Sequence, residues 1–331
     1  MGVNRVSEIL QVQFPIIEGG MAYVGNGELA AAVSNGGGFG QVAISGRTPE
    51  GFEEQIKIAI SLTDKPFGVN IPISGYFTYN PYFDVVQKYK NHIHAISLAS
   101  GDPRPYIPYF KGMGLKVMVL VGSVKHAINA EKAGADIVIC EGFEAGGRNS
   151  PYELTLFGLV PQISKVVTIP VVAAGGIATG RGVIAAMALG AEGVQMGTRF
   201  IATTECQAHD HYKNLLVDAK DDSTVVVERS VGRVSRVLKS PYVNKVIELE
   251  RKNPAPEELY PFISGQRNRL AALEGNVEEG WIHAGQSVGM ITSVIPAAEV
   301  IQQIVQEMDE YRESLNHALD LFLNPSGEVR I

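Results

Sequence analysis

Eight short apolar runs recur through the first 200 residues, each followed by a segment of helical periodicity, and this alternation is the tightest constraint on the fold. The runs are Phe14–Gly19, Phe39–Ile44, Pro66–Ile71, Ile93–Ala99, Leu115–Val121, Asp136–Cys140, Ile169–Gly175 and Glu192–Gly197. Several are continuously apolar, as expected of parallel strands covered on both faces. Helix starts lie between them: Thr48-Pro49-Glu50 combines an N-cap, a first-turn proline and an acid, and Ser123 caps a segment that stops at Gly134. Eight such units predict a (β/α)8 TIM barrel, whose active-site loops follow the strands. The loops to read are those after Gly19, Ile71, Cys140, Ala174 and Gly197.

The 331 residues suit either about two domains or one large barrel with an added lobe. Past residue 204 the pattern changes to an extended pair in TVVVERSVGRVSRVL, a proline-interrupted stretch and long helical segments. The expected organisation is a barrel of residues 1–204 and 283–331, with 205–282 inserted as a mostly helical lobe. Val294–Leu315 has helical spacing and is read as the barrel's closing helix. A helical lobe over a barrel mouth suits a lid, a homodimer contact or both.

Composition excludes several classes. A net charge of -7 without a basic cluster argues against nucleic acid as a partner. Cys140 and Cys206 form no Cys-x-x-Cys pair, so neither a zinc knuckle nor a disulfide framework is expected, and a reducing cytoplasmic setting is. No apolar signal core stands at the N-terminus, and no apolar stretch reaches membrane-spanning length, so no membrane association is expected.

The most specific motif is VVAAGGIATGRGVIAAMALGAEGVQMGTRF. Gly175-Gly176 follows the seventh strand, Thr179 caps the next helix, and Gly197-Thr198 ends the eighth strand. A lone Gly-Gly reads most simply as a strand-to-helix turn. Two such elements at adjacent strand ends favour a phosphate site built from backbone N–H groups, with Thr198 as an added donor.

Together with PIIEGGMA, ELAAAVSNGGGFG, KPFGVNI, EGFEAGG, AHDHYK and HAGQ, this block resembles the FMN-dependent family of nitronate monooxygenases (2-nitropropane dioxygenases) and flavin-type enoyl-acyl carrier protein reductase II. GGMA, KPFGVNI and the tail motifs look closer to the enoyl reductase branch. The resemblance implies FMN with Gly20, Met21 and Ala22 against the ring, and Asn70 as a polar ring or ribityl contact. It also implies Gly175, Gly176, Gly197 and Thr198 at the phosphate, Glu141 and Gln286 lining the pocket, and Gly146 and Gly147 beside the substrate. For each, an ordinary turn, cap or strand-end role is the competing reading.

EGFEAGGRNSP departs from the family, which commonly carries after Ala-Gly-Gly a histidine taken in the nitronate enzymes as the base; here it is Arg148. Arginine is no base near neutral pH. Arg148 is therefore the candidate catalytic position with its role open: a bidentate grip on a carboxylate, nitro group or phosphate, stabilisation of negative charge, or a solvated loop arginine. The implied reaction is NAD(P)H-dependent reduction of an activated, enoyl thioester-like alkene, with Tyr152, Tyr23 or water as unranked proton donors. Three alternatives stand beside it: a nitronate monooxygenase altered at this position, a nucleotide-binding barrel enzyme resembling IMP dehydrogenase, and a non-catalytic flavin-binding sensor or scaffold.

Other candidates are weaker. Gly25–Ala30 fits G-x-G-x-x-A but reads better as a helix-starting turn, since the second strand ends without the expected acid. Gly36–Gly40 precedes a strand and belongs to the barrel's stability face. His209-Asp210-His211 lacks a third ligand, so no metal site is expected, and His209 is retained as a substrate or cofactor contact. Cys140 reads as a small buried apolar residue.

Overall fold

The computed structural model describes residues 2–73 and 79–323. Eight parallel strands form the central sheet: β1 (Ile16–Glu18), β2 (Gly40–Ala43), β3 (Phe67–Pro72), β4 (Ile93–Ala99), β5 (Lys116–Val121), β6 (Ile137–Glu141), then β8 (Val171–Ala174) and β9 (Gly193–Met196). The short strand β7 (Gly147–Arg148) lies elsewhere. Within the sheet the order is β1-β9-β8-β6-β5-β4-β3-β2, and the parallel bridge Ile17 to Phe39 joins its two edges. The result is a TIM barrel, with all eight expected strands in place. The expected caps form: Thr48, Ser123 and Thr179 accept from the backbone N–H groups of Gly51, His126 and Gly182 at 3.2, 3.2 and 3.4 Å.

Period-two alternation sorts the strand residues into two layers. Ile17, Phe39, Ala95, Met118, Ile137, Ile139, Val172 and Ala174 pack inside the barrel, while neighbours such as Val42, Val69, Ile96 and Val138 pack outward in the larger core. A helix at Arg5–Leu10, not expected from the sequence, closes the bottom. Asn4 caps it at 3.0 Å, Arg5 Nε donates to Glu192 at 2.7 Å, and Val6 and Leu10 enter the inner cluster with no exposed surface. Continued toward the C-terminal strand ends, the inward row becomes polar: Asn70 sits opposite Ser97 in register, and Glu141, Ala174 and Gln195 align across three strands.

The lobe follows the barrel's last strand. It contains β10 (Thr224–Val227) and β11 (Ser235–Leu238), and helices at Asp210–Val217, Pro241–Glu250, Pro256–Ile263 and Gly265–Glu274. Its own core gathers Val227, Val237, Tyr242, Val243, Val246, Leu259, Ile263 and Trp281. The β10–β11 hairpin, read from the sequence as an extended pair, takes β7 as a third, antiparallel strand, with Ser235 opposite Arg148 and Arg236 opposite Gly147. The loop after β6 is thereby bound to the lobe.

The closing helix runs Ala297–Leu323, somewhat beyond the expected Val294–Leu315, and packs between the helices Gly27–Asn35 and Gly180–Ala188. Glu205 caps its first turn, accepting from the Ala297 N–H at 3.0 Å. Among the described residues no helix is long and apolar enough to cross a membrane.

Candidate active site

A cavity of about 940 Å³ opens at the C-terminal ends of the strands, beneath the lobe. Among its lining residues are Gly20, Met21, Ala22, Asn70, Glu141, Gly146, Gly147, Arg148, Gly175, Gly176, Gly197 and Thr198. Gln286 and His209 are not among them. Gln286 is exposed, its N–H donating to the Glu144 carbonyl at 2.9 Å. His209 is exposed and caps the Asp210–Val217 helix, accepting from the His211 N–H at 3.1 Å, while the His211 ring faces the Gly275 carbonyl. The two histidine side chains are spent on local structure, the Gln286 side chain lies in solvent, and no three His, Cys, Asp or Glu groups among the described residues are placed to hold a metal.

The loop after β1 crosses the barrel mouth and rests on Asn70. A Cβ on Gly20 would stand 2.0 Å from the Asn70 Cγ, so only glycine admits this approach. Asn70 donates through Nδ2 to the Ser97 hydroxyl at 2.8 Å, which fixes its amide and leaves the carbonyl oxygen for another partner. Gln195 and Glu141 complete the polar layer. Gln195 is buried with an unpartnered Oε1, and the Glu141 carboxyl, lacking any charged neighbour, is pushed up to about 8 by burial alone. At neutral pH Glu141 is therefore mostly protonated and able to donate.

At the far end, Gly175 and Gly176 adopt φ of 108° and 69°, which side chains rarely tolerate. They admit the loop after β6: a Cβ on Gly175 would meet the Ala145 nitrogen at 2.9 Å, and one on Gly176 the Glu144 Cβ at 3.0 Å. Gly197 faces more open space, its nearest neighbour being Met21 at 3.6 Å from an added Cβ. The Thr198 hydroxyl accepts from the Gly285 N–H at 3.0 Å and keeps its proton for a second acceptor. Glycine at 175 and 176 is what permits this tight loop packing.

Arg148 lies in β7 at the cavity rim. Its guanidinium, 53% exposed, pairs at 3.2 Å with a Glu228 carboxylate that has no exposed surface. Glu228 lies just beyond β10 in a left-handed conformation, φ 73°, its N–H donating to Glu250 at 3.0 Å. Burial raises the Glu228 carboxyl and the Arg148 charge pulls it back down. Position 148 is thus part of the lobe's attachment to the barrel. Of the named proton-donor candidates, Tyr23 lines the cavity but donates its hydroxyl to the Gly265 carbonyl at 2.8 Å, and Tyr152 is 59% exposed and outside the lining. Cys140 is fully buried with its thiol pushed up by burial, a packing residue. Gly27 donates to Gln55 Oε1 at 2.8 Å, so the G-x-G-x-x-A turn is satisfied within the fold.

Sequence reading missed Gln195, Trp281 and His283, all of which line the cavity. Gln195 had a signal, as the one polar residue in the run GVQM. The other two enter from the end of the lobe, and no local pattern marks them.

A family model described as nitronate monooxygenase matches residues 4–82 and 76–307. The chain belongs to the nitronate monooxygenase family. It is 33% identical to a probable nitronate monooxygenase of Staphylococcus saprophyticus, over 93% of this chain and 98% of that one. Among solved structures, FabK from Thermotoga maritima is 39% identical with a TM-score of 0.90, covering 96% of this chain and 100% of its own. A nitroalkane oxidase from Streptomyces ansochromogenes is 27% identical with a TM-score of 0.82, covering 94% and 99%. The chain is accordingly an oxidoreductase of the nitronate monooxygenase and enoyl reductase type, in a family of FMN-dependent enzymes.

Proposed function

We propose that this protein uses FMN to reduce an activated, enoyl thioester-like alkene with NADH or NADPH as electron donor. The cavity fits the cofactor chemically. It offers a glycine-rich pole at Gly175, Gly176 and Gly197 beside the Thr198 hydroxyl, close backbone approach at Gly20, and unspent hydrogen-bonding capacity on Asn70, Gln195 and Glu141. Gly175, Gly176, Gly197 and Thr198 would hold the phosphate, and Gly20, Met21, Ala22 and Asn70 the ring. When bound, FMN supplies the two-electron relay by which a nucleotide's hydride reaches the alkene β-carbon, the α-carbon taking a proton. The lobe residues Ile263 and Trp281 line the cavity from above the barrel mouth.

The observation that carries the reductase reading is the pairing of Arg148 with buried Glu228. A guanidinium accepts no proton near neutral pH, and here the carboxylate holds it at the rim, so position 148 supplies no base for drawing a proton from a nitroalkane carbon. The likeness to FabK, an enoyl reductase, supports the same choice. Nitronate oxidation is the second reading, favoured by the curated relatives' names. Steady-state assays separate the two, run anaerobically with nucleotide and enoyl thioester and in air with a nitronate. Oxidation of NADH or NADPH that depends on an added enoyl thioester supports the reductase. Oxygen uptake with a nitronate and no nucleotide, without enoyl-dependent turnover, supports the oxidase.

A further inference from the structure

We infer that His283 is the substrate-facing imidazole of this cavity, receiving a carbonyl or nitro oxygen conjugated to the reacting carbon. The inference rests on the cavity being the active site, as proposed above. Position 148, where the loop sequence leads one to look for such a group, is bound into the lobe sheet. His283 reaches the same loop from the other side of the chain: its Nδ1 stands 3.6 Å from where a Gly147 side chain would begin. Gly147 has φ 85° and lies directly before Arg148, and the imidazole packs against its backbone at van der Waals distance.

The surroundings fix the ring, and the Arg236 backbone is the polar group that faces it. His283 pairs in an antiparallel bridge with Val237, next to the Arg236–Gly147 pair, and its carbonyl accepts from the Tyr212 hydroxyl at 2.5 Å. Trp281 packs edge-on against the imidazole at 4.7 Å between centroids and 85° between planes. Nδ1 is enclosed and has no well-formed hydrogen bond among the described residues, so Nε2 is the ring atom that the half-buried side chain has left for the cavity it lines. A native interior rarely leaves a buried imidazole unpaired without a use for it. Burial also pushes its pKa down to about 4, against the Arg236 backbone and with the Arg148 charge adding to the effect. His283 is therefore neutral at physiological pH: a hydrogen-bonding group that polarises an oxygen and does not carry charge.

The experiment compares His283→Leu and His283→Gln in the flavin-bound protein, using whichever acceptor the wild type turns over. Three quantities are read: flavin absorbance, the rate at which nucleotide reduces the bound flavin, and the rate of reoxidation by the acceptor. The expected result is a reoxidation rate lowered about tenfold or more in the leucine variant, largely restored by glutamine, with flavin content and reduction rate unchanged in both. Unchanged reoxidation in His283→Leu would overturn the inference, and so would an equal fall in both variants or loss of flavin from both. If the wild type turns over a nitronate and no enoyl thioester, the reductase reading fails while the His283 comparison, made on the nitronate, still gives its own answer.

Discussion

Arg148 and Glu228 face each other between β7 and the end of β10, 3.2 Å apart, the first half in solvent and the second with no exposed surface. The pair joins the loop after β6 to the lobe, so this position bears on the lobe's docking as well as on chemistry. Arg148→Ala leaves a buried carboxylate alone and is expected to cost about 1–2 kcal/mol of stability at pH 7, the exposure of the arginine keeping the figure modest. Glu228→Gln in the same chain should recover part of that loss. Denaturant titration of the two single variants and the double measures the coupling, and additivity would show that the pair does not hold the lobe.

Gly20 and Asn70 occupy one space. Gly20→Ala is expected to displace the Asn70 amide from Ser97, weakening flavin binding tenfold or more and costing about 1–3 kcal/mol. Trimming Asn70 to glycine alongside it should restore part of the stability and not the flavin affinity, since the Asn70 Cβ itself would stand 2.5 Å from the added one. Thermal melts and flavin titration of the apoprotein read the two separately.

Glu141 should make the flavin-free protein lose stability as pH rises. Its folded pKa of about 8 lies above that of the unfolded chain, so between about pH 4.5 and 8 the folded state binds the extra proton and unfolding gains from ionisation. Glu141→Gln is expected to match the wild type at the acid end of this window. By pH 8 it should exceed it by about 1–3 kcal/mol in urea titrations. A constant difference across the window would place the carboxyl in a solvated setting.

The barrel was legible because its strands are local, apolar and punctuated by caps that form as written at Thr48, Ser123 and Thr179. So was part of the cavity lining, since at Gly20, Gly175 and Gly176 an added Cβ would meet a neighbour at 3.0 Å or less. The bottom helix Arg5–Leu10 escaped notice because six residues with two buried side chains carry little periodicity. His283 and Trp281 escaped because only the folding of the lobe over the mouth brings residues so distant in sequence to the cavity. His209 and Gln286 point the other way: the chain beside them reaches the mouth, but their side chains are used on the Asp210–Val217 helix or left in solvent.

The central claim, that this cavity passes electrons from a nicotinamide nucleotide to an activated alkene, is tested most directly by mixing the anaerobically reduced, flavin-bound protein with an enoyl thioester and following flavin absorbance. Rapid return of the oxidised spectrum with formation of the saturated thioester is predicted, together with prior reduction by NADH or NADPH. Failure of both nucleotides to reduce the flavin, or reoxidation no faster with the enoyl thioester than in its absence, would contradict it.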